Sequence, residues 1–292
     1  MTDLNTELSP EVTYLMALIA DEMIINKTSE RLQIDPKRMA VNKINEMRIN
    51  KAEEILHELN TMMHDKTINQ NIIEALSEEY DRYIPHVQQQ LLNNTSIVAT
   101  NMENVRVIKN IYDTYKSIIK NKKSGKLYEK HILVYNALNI KISVLTPTNA
   151  NYNKVMQAIN FDKNTSNIVR IYELCDEVRN EKFSKNGITD KRLLFHGSPV
   201  TNWFSILKNG LYIDSKRAGV PVNGKAYGNG IYFSDQLSFS LGYSRMNSYD
   251  GSKVYILGLF EVALDSKAYK GSPIFVIFNA EHYTCRYLVL VS

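Results

Sequence analysis

The chain of 292 residues carries 44% apolar side chains, enough for a packed core, and 23% charged ones, the usual share for a water-exposed surface. Its net charge of +4 is spread along the whole length, so it gives no basic stripe of the kind a nucleic-acid groove needs. No apolar run reaches the ~20 residues that span a bilayer; the run 12–20 closes at Asp21-Glu22.

The length suits one large domain or two ordinary ones. Acidic Asp3 and Glu7 near the start argue against a secretory leader. Cys175 and Cys285 lack metal or CxxC spacing, and each borders an apolar run. That predicts buried free thiols in a reducing compartment, and no metal site. The densest basic run, 120–126, reads as a helix end plus loop, where lysines complement the helix dipole.

In chain order, Ser9-Pro10 predicts a helix start, with serine as N-cap and proline where its missing N–H costs nothing. Asp35-Pro36 repeats the device. After it Val41, Ile44, Met47, Ala52, Ile55, Leu56 and Leu59 recur mostly every three or four residues. Ile72, Ile73, Leu76, Tyr80 and Tyr83 mark another stripe, ended by Pro85. Val105, Ile108, Tyr112, Tyr115 and Ile119 mark a further one. Such stripes are core faces, and none carries a catalytic constellation.

The texture changes near Asn139. Residues 140–144 alternate like a strand, a short helix covers 153–159, and 167–174 reads as another strand. Strands are then expected over 192–195, 230–233, 254–264, 274–278 and 287–291. Between the first two, 200–208 is helical in pattern and stops at Asn209-Gly210. The expected fold class is α+β: a helical N-terminal region, 1–138, followed by a domain of mostly short strands, 139–292.

Four stretches of the second part carry the functional signal. Phe195-His196-Gly197-Ser198 ends an apolar strand, and its glycine lets a ligand approach the backbone closely. The N–H and C=O of one residue can clamp a primary carboxamide, with histidine and serine adding side-chain bonds. Taken alone, the tripeptide reads better as a turn with a structural histidine than as a binding site. Gly228-Asn229-Gly230-Ile231-Tyr232-Phe233 suggests a sharp turn feeding a strand that holds a ring at fixed depth. Ser234-Asp235 then starts a helix along which Ser240 offers a hydroxyl and Gly242-Tyr243 a second ring. Two such rings can sandwich a flat heteroaromatic, worth ~1 kcal/mol beyond burial. Either tyrosine alone, among eighteen, reads equally as core. GxGxxG and Walker patterns are absent. The fourth stretch is Ser272-Pro273-Ile274-Phe275-Val276.

In this order and spacing the segments resemble the catalytic core of the poly(ADP-ribose) polymerase-like (diphtheria-toxin-like) ADP-ribosyltransferases. The resemblance covers roughly 142–292 and includes Thr201-Asn202-Trp203-Phe204-Ser205-Ile206-Leu207 and Leu259-Phe260-Glu261-Val262-Ala263-Leu264. It implies an ADP-ribosyltransferase fold of two packed, mostly antiparallel sheets, with NAD as co-substrate, no metal, and a protein acceptor. By position, it implies that His196 hydrogen-bonds the adenosine ribose of NAD. Gly197 would clamp the nicotinamide carboxamide with Ser240 as side-chain partner, and Tyr232 and Tyr243 would flank its ring. Ser198 and Asn202 match positions near the adenosine ribose. Counting back from Arg286-Tyr287-Leu288, Ile274 stands where polymer-forming members carry a glutamate, and neither Asp265 nor Glu281 takes its register. A His196-Tyr232-Ile274 triad is similar to the mono-ADP-ribosyltransferase branch. The expected activity is transfer of one ADP-ribose to a protein side chain, in the cytoplasm or nucleus. A catalytically silent NAD- or ADP-ribose-binding module and a purely structural interaction protein are the alternatives.

Overall fold

The computed structural model describes residues 7–292 apart from 41–42, 66, 123–128, 162, 164–165, 212 and 214–225; for 117–122 it describes the backbone alone. Two compact units emerge. One comprises Met1–Ala20, Lys120–Ile213 and Tyr227–Ser292; the other comprises Asp21–Ile119 and Asp214–Ala226.

Helix α1 (Pro10–Ile19) opens the first unit as expected, with Ser9 Oγ accepting the Val12 N–H at 3.3 Å. Tyr172 donates its hydroxyl to the Glu11 carbonyl at 2.9 Å, which ties the helix start to a later strand of the same unit.

The second unit contains α2 (Glu22–Arg31), α3 (Glu46–His64) and α4 (Gln70–Tyr83), together with most of α5 (Thr95–Lys122). Asp21, Asn45 and Asn69 cap the first three, each accepting a backbone N–H three residues on, at 2.8, 3.0 and 3.1 Å. Ile49, Ala52, Ile55, Leu56 and Leu59 of α3 pack with Tyr80 of α4 and with Val98, Met102, Val105 and Ile108 of α5. Two expectations need correction. Asp35-Pro36 does not start a helix: Asp35 Oδ1 accepts the Lys37 N–H at 2.9 Å and closes a turn. An aspartate that bonds its own backbone two residues on competes with helix formation, and α3 begins only after Asn45. Met47 lies on the outer face of α3 and is 59% exposed; Val41 falls outside the described residues. The turn is held instead by buried Asp81, which accepts from Arg38 Nη1 at 2.6 Å and from the His86 N–H at 2.9 Å.

The remaining elements belong to the first unit. They are α6 (Lys130–Leu138), β1 (Lys141–Val144), α7 (Tyr152–Ile159), β2 (Ile168–Cys175), α8 (Glu177–Ser184) and β3 (Lys191–Gly197). A 3-10 turn (Val200–Asn202), α9 (Trp203–Asn209), β4 (Ile231–Phe233), α10 (Leu237–Leu241) and β5 (Asn247–Tyr249) follow. The chain ends with β6 (Ser252–Ala263), β7 (Tyr269–Gly271), β8 (Ile274–Ile277) and β9 (Tyr283–Val291). Asn139 stops α6 in the left-handed conformation, at φ 55°. A larger sheet runs β1-β2-β9-β6-β3, with β5 paired to β6; a smaller one runs β4-β8-β7, and every pair is antiparallel. Val155 and Ile159 of α7 cover Ile171, Leu257, Leu259 and Val289 on one face of the larger sheet. The two sheets meet where Phe195 and Ser234 exchange backbone bonds, at 2.6 and 2.9 Å. The fold class is α+β, as expected.

Cys285 is buried, and burial pushes its thiol well above the usual range. Cys175 is not buried: it is the last residue of β2, where the strand leaves the core, and its free thiol is exposed. Trp203 is fully buried at the start of α9 and donates Nε1–H to the Ser198 carbonyl at 3.1 Å. Trp203→Ala is expected to lower stability by about 3–5 kcal/mol, read as a fall in the urea midpoint at unchanged slope.

Candidate active site

His196 and Gly197 end β3, the edge strand of the larger sheet. His196 Nδ1 lies 2.9 Å from the Tyr232 carbonyl, and its ring meets Phe233 and Phe260 edge-on. A carbonyl only accepts, so Nδ1 carries the proton. Burial pushes the histidine pKa below its ordinary value, against the opposing effect of the Tyr232 carbonyl. The ring is therefore neutral at pH 7 and keeps Nε2 as an acceptor for a hydroxyl.

Gly197 has no room for a side chain. A Cβ there would overlap the carbonyl oxygen of Ser240 and come within 2.9 Å of Ser244 Oγ. Close packing of α10 on β3 thus needs the glycine, and it brings together the two residues assigned to one carboxamide. Ser240 is buried at 3% exposure, and Ser244 Oγ anchors the end of this segment on the Ile256 carbonyl at 3.1 Å. Ser198 is also buried, and Asn202 Nδ2 donates to its hydroxyl at 3.0 Å.

Tyr232 sits on β4, half-buried. Its hydroxyl donates to the Gly228 carbonyl at 2.8 Å and accepts the Tyr227 N–H at 3.0 Å. Burial raises its pKa, with the neighbouring phenols of Tyr227 and Tyr243 adding to the rise against the opposing Tyr227 N–H. Tyr243 follows α10, 55% exposed, its ring tilted against Phe239 at 5.6 Å. Ile274 opens β8 and pairs with Gly271. Because Tyr232 pairs with Val276 and side chains alternate along a strand, Tyr232 and Ile274 share one face of the smaller sheet.

Of the positions singled out in sequence, His196 meets Tyr232, Gly197 meets Ser240 and Ser198 meets Asn202, while Tyr232 and Ile274 share a face and Tyr243 packs on Phe239, near enough to act on the Tyr232 phenol. Sequence reasoning gave no holding role to the residues beside them. Tyr227 and Gly228 hold the Tyr232 hydroxyl, and Ser272 Oγ donates to a carboxylate, Asp235, at 3.1 Å. Only the β4–β8 register reveals the second contact, since the partners lie far apart in the chain. Among the described residues no helix is long and apolar enough to cross a membrane, and no group of three metal-ligating side chains occurs.

Two joined antiparallel sheets, with a histidine-glycine strand end set against a tyrosine strand and a short helix, define the class of fold found in ADP-ribosyltransferase catalytic domains. Residues 149–270 match the poly(ADP-ribose) polymerase catalytic domain, and residues 6–136 match the poly(ADP-ribose) polymerase regulatory domain. The chain belongs to the poly(ADP-ribose) polymerase-like family. It is 25% identical to poly [ADP-ribose] polymerase 1 of Danio rerio over 89% of this chain and 26% of that protein. Against poly [ADP-ribose] polymerase 1 of Gallus gallus it is 26% identical over 96% of this chain and 28% of the relative. Protein mono-ADP-ribosyltransferase PARP3 of Gallus gallus is 23% identical over 86% of this chain and 47% of its own length. The chain therefore spans between about a quarter and a half of these relatives. Ile274 lies just beyond the catalytic-domain match, which ends at residue 270.

Proposed function

We propose that this chain is an NAD-dependent ADP-ribosyltransferase that moves a single ADP-ribose to a protein side chain and releases nicotinamide. The observation that carries the reading is the seating of Gly197 against Ser240 beside the His196–Tyr232 contact. It supports a reading in which the Gly197 backbone, the buried Ser240 and Tyr232 act on one ligand. Nicotinamide leaves as a neutral molecule from a cationic pyridinium, so no general acid is needed. Cleavage passes through an oxocarbenium-like state, as in glycoside hydrolysis. The site's work is to grip nicotinamide through Gly197, Ser240, Tyr232 and Tyr243, with His196, Ser198 and Asn202 on the adenosine ribose. That holds the scissile bond in a reactive pose.

Ile274 supplies no carboxylate to stabilise charge on the ribose or to activate a sugar hydroxyl for chain growth. Lack of one such group costs ~3 kcal/mol, about a hundredfold in rate. An acidic acceptor side chain that brings its own carboxylate can tolerate that loss. Elongation through a ribose hydroxyl cannot, so single units are the product of this reading. The regulatory-domain match over 6–136 supports a division into a helical region, 1–138, and a catalytic region, 139–292. An intracellular site of action, where NAD is abundant, goes with the same reading.

Incubation with labelled NAD tests the proposal. Wild type is expected to label protein in single units, and His196→Ala to lose at least about tenfold of that rate through one lost hydrogen bond to the ribose. A ladder of long polymer would contradict single-unit transfer. The same Ile274 favours a second reading, a module that binds NAD without transferring it. Measurable NAD binding with no labelled protein in either sample would establish that instead.

A further inference from the structure

We infer that Tyr269 is a positioning residue of the nicotinamide grip, acting through Tyr227 on Tyr232. The inference deepens the proposed function and rests on it. Tyr269 lies on β7, the edge of the smaller sheet, and pairs with Val276, which in turn pairs with Tyr232. The two tyrosines therefore occupy one rung and one face, with fully buried Val276 between them. The 227–230 turn closes over this face. A Cβ on Gly230 would come within 2.5 Å of Val276 Cγ1 and of the Ile277 carbonyl, so the turn presses directly on the sheet. Gly228 takes φ 98°, which favours glycine there.

What holds the turn down on its far side is a ring stack. The Tyr227 and Tyr269 centroids lie 3.7 Å apart with planes inclined by 22°. Interaction with the Tyr227 phenol raises the Tyr269 pKa above the ordinary value. Gly271 makes room for the arrangement, since a Cβ there would come within 2.6 Å of the Tyr269 hydroxyl. From the same turn, the Tyr227 N–H and the Gly228 carbonyl hold the Tyr232 hydroxyl at 3.0 and 2.8 Å. A continuous path thus runs from the Tyr269 ring to the ring assigned to nicotinamide. Removing the first ring releases the turn, and with it the depth at which Tyr232 is held.

The expected result is a split between binding and turnover. Tyr269→Ala should weaken nicotinamide binding, and raise KM for NAD, by up to about tenfold, the upper end for one lost aromatic stack. Its kcat at saturating NAD should fall by less than KM rises, because the Gly197–Ser240 contact and the groups on the ribose are untouched. Tyr269→Phe keeps the stack and should bind nicotinamide within about twofold of wild type. Tyr227→Ala breaks the same stack from the turn side without altering the sheet, so it still tests the path if Tyr269→Ala fails to fold. It should weaken binding to the same degree, and the double variant no further, as residues acting as one unit are non-additive. Calorimetric titration with nicotinamide reads each affinity. Either alanine variant, folded and binding nicotinamide like wild type, overturns the proposal, as does full additivity in the double variant. A wild-type chain that binds neither nicotinamide nor NAD overturns the underlying reading of the site, and this one with it.

Discussion

Alanine at position 197 is expected to remove NAD binding and ADP-ribose transfer while leaving most of the fold in place. Its Cβ would overlap a backbone atom, the Ser240 carbonyl oxygen, which cannot rotate away as the end of a side chain can. Helix α10 would have to shift from β3, yet it is held there by the Phe195–Ser234 backbone exchange and by Ser244 on Ile256. Forcing a methyl into such a contact costs about 1–3 kcal/mol of stability. The larger effect is on function. A displacement of ~1 Å between groups that share one ligand can cost about a hundredfold, and in the proposed function these two residues form the carboxamide clamp. A thermal melt and the labelled-NAD assay check both parts. Gly242→Ala serves as control, because its added carbon would meet only the Phe239 carbonyl at an ordinary 3.4 Å. Transfer by Gly197→Ala at the wild-type rate would show that the clamp lies elsewhere.

Glutamate at position 274 is expected to act in the opposite direction. The side chain would start β8 on the face that carries Tyr232, half-buried and opposite Gly271, over which the Tyr269 ring lies. Stabilising positive charge on the ribose by one such carboxylate is worth ~3 kcal/mol, so nicotinamide release should accelerate by up to about a hundredfold. Partial burial raises the new carboxyl's pKa, and the gain should therefore increase as pH rises through it. If activation of a ribose hydroxyl is what the site lacks, products longer than one unit should appear on a gel. Release at the unaltered rate, with single units only, would mean that residue 274 limits neither step.

Reading the chain in order recovered what is local. Ser9 and Asn209-Gly210 terminate helices where their side-chain and backbone chemistry says they should. The apolar spacing of Ala52, Ile55, Leu56 and Leu59 gives most of the buried stripe of α3 because 3.6-residue periodicity and burial are the same geometric fact. Failures have physical causes too. Helix α2 escaped notice because part of its buried face is polar: Thr28 and Ser29 are buried by bonding back to the Ile24 and Ile25 carbonyls. In α8, Phe183 is the one buried residue, and β5 and β7 are only three residues each. Asp35-Pro36 misled because an aspartate before proline serves a turn as well as a helix.

The candidate site divides along the same line. Sequence by itself determined which residue types are available, in His196-Gly197-Ser198 at a strand end, Tyr232 on a strand, and Ser240 and Tyr243 on and after a short helix, and that residue 274 is an isoleucine without a carboxylate. Those are covalent facts, local to short segments. Only the tertiary structure decided that Gly197 must be glycine because Ser240 lies on it, that Tyr232 is held by Tyr227 and Gly228, and that Tyr269 and Ile274 share its face. The first and last depend on strand register and on packing between segments tens of residues apart, and the second on a turn whose bonds the residue types alone do not fix.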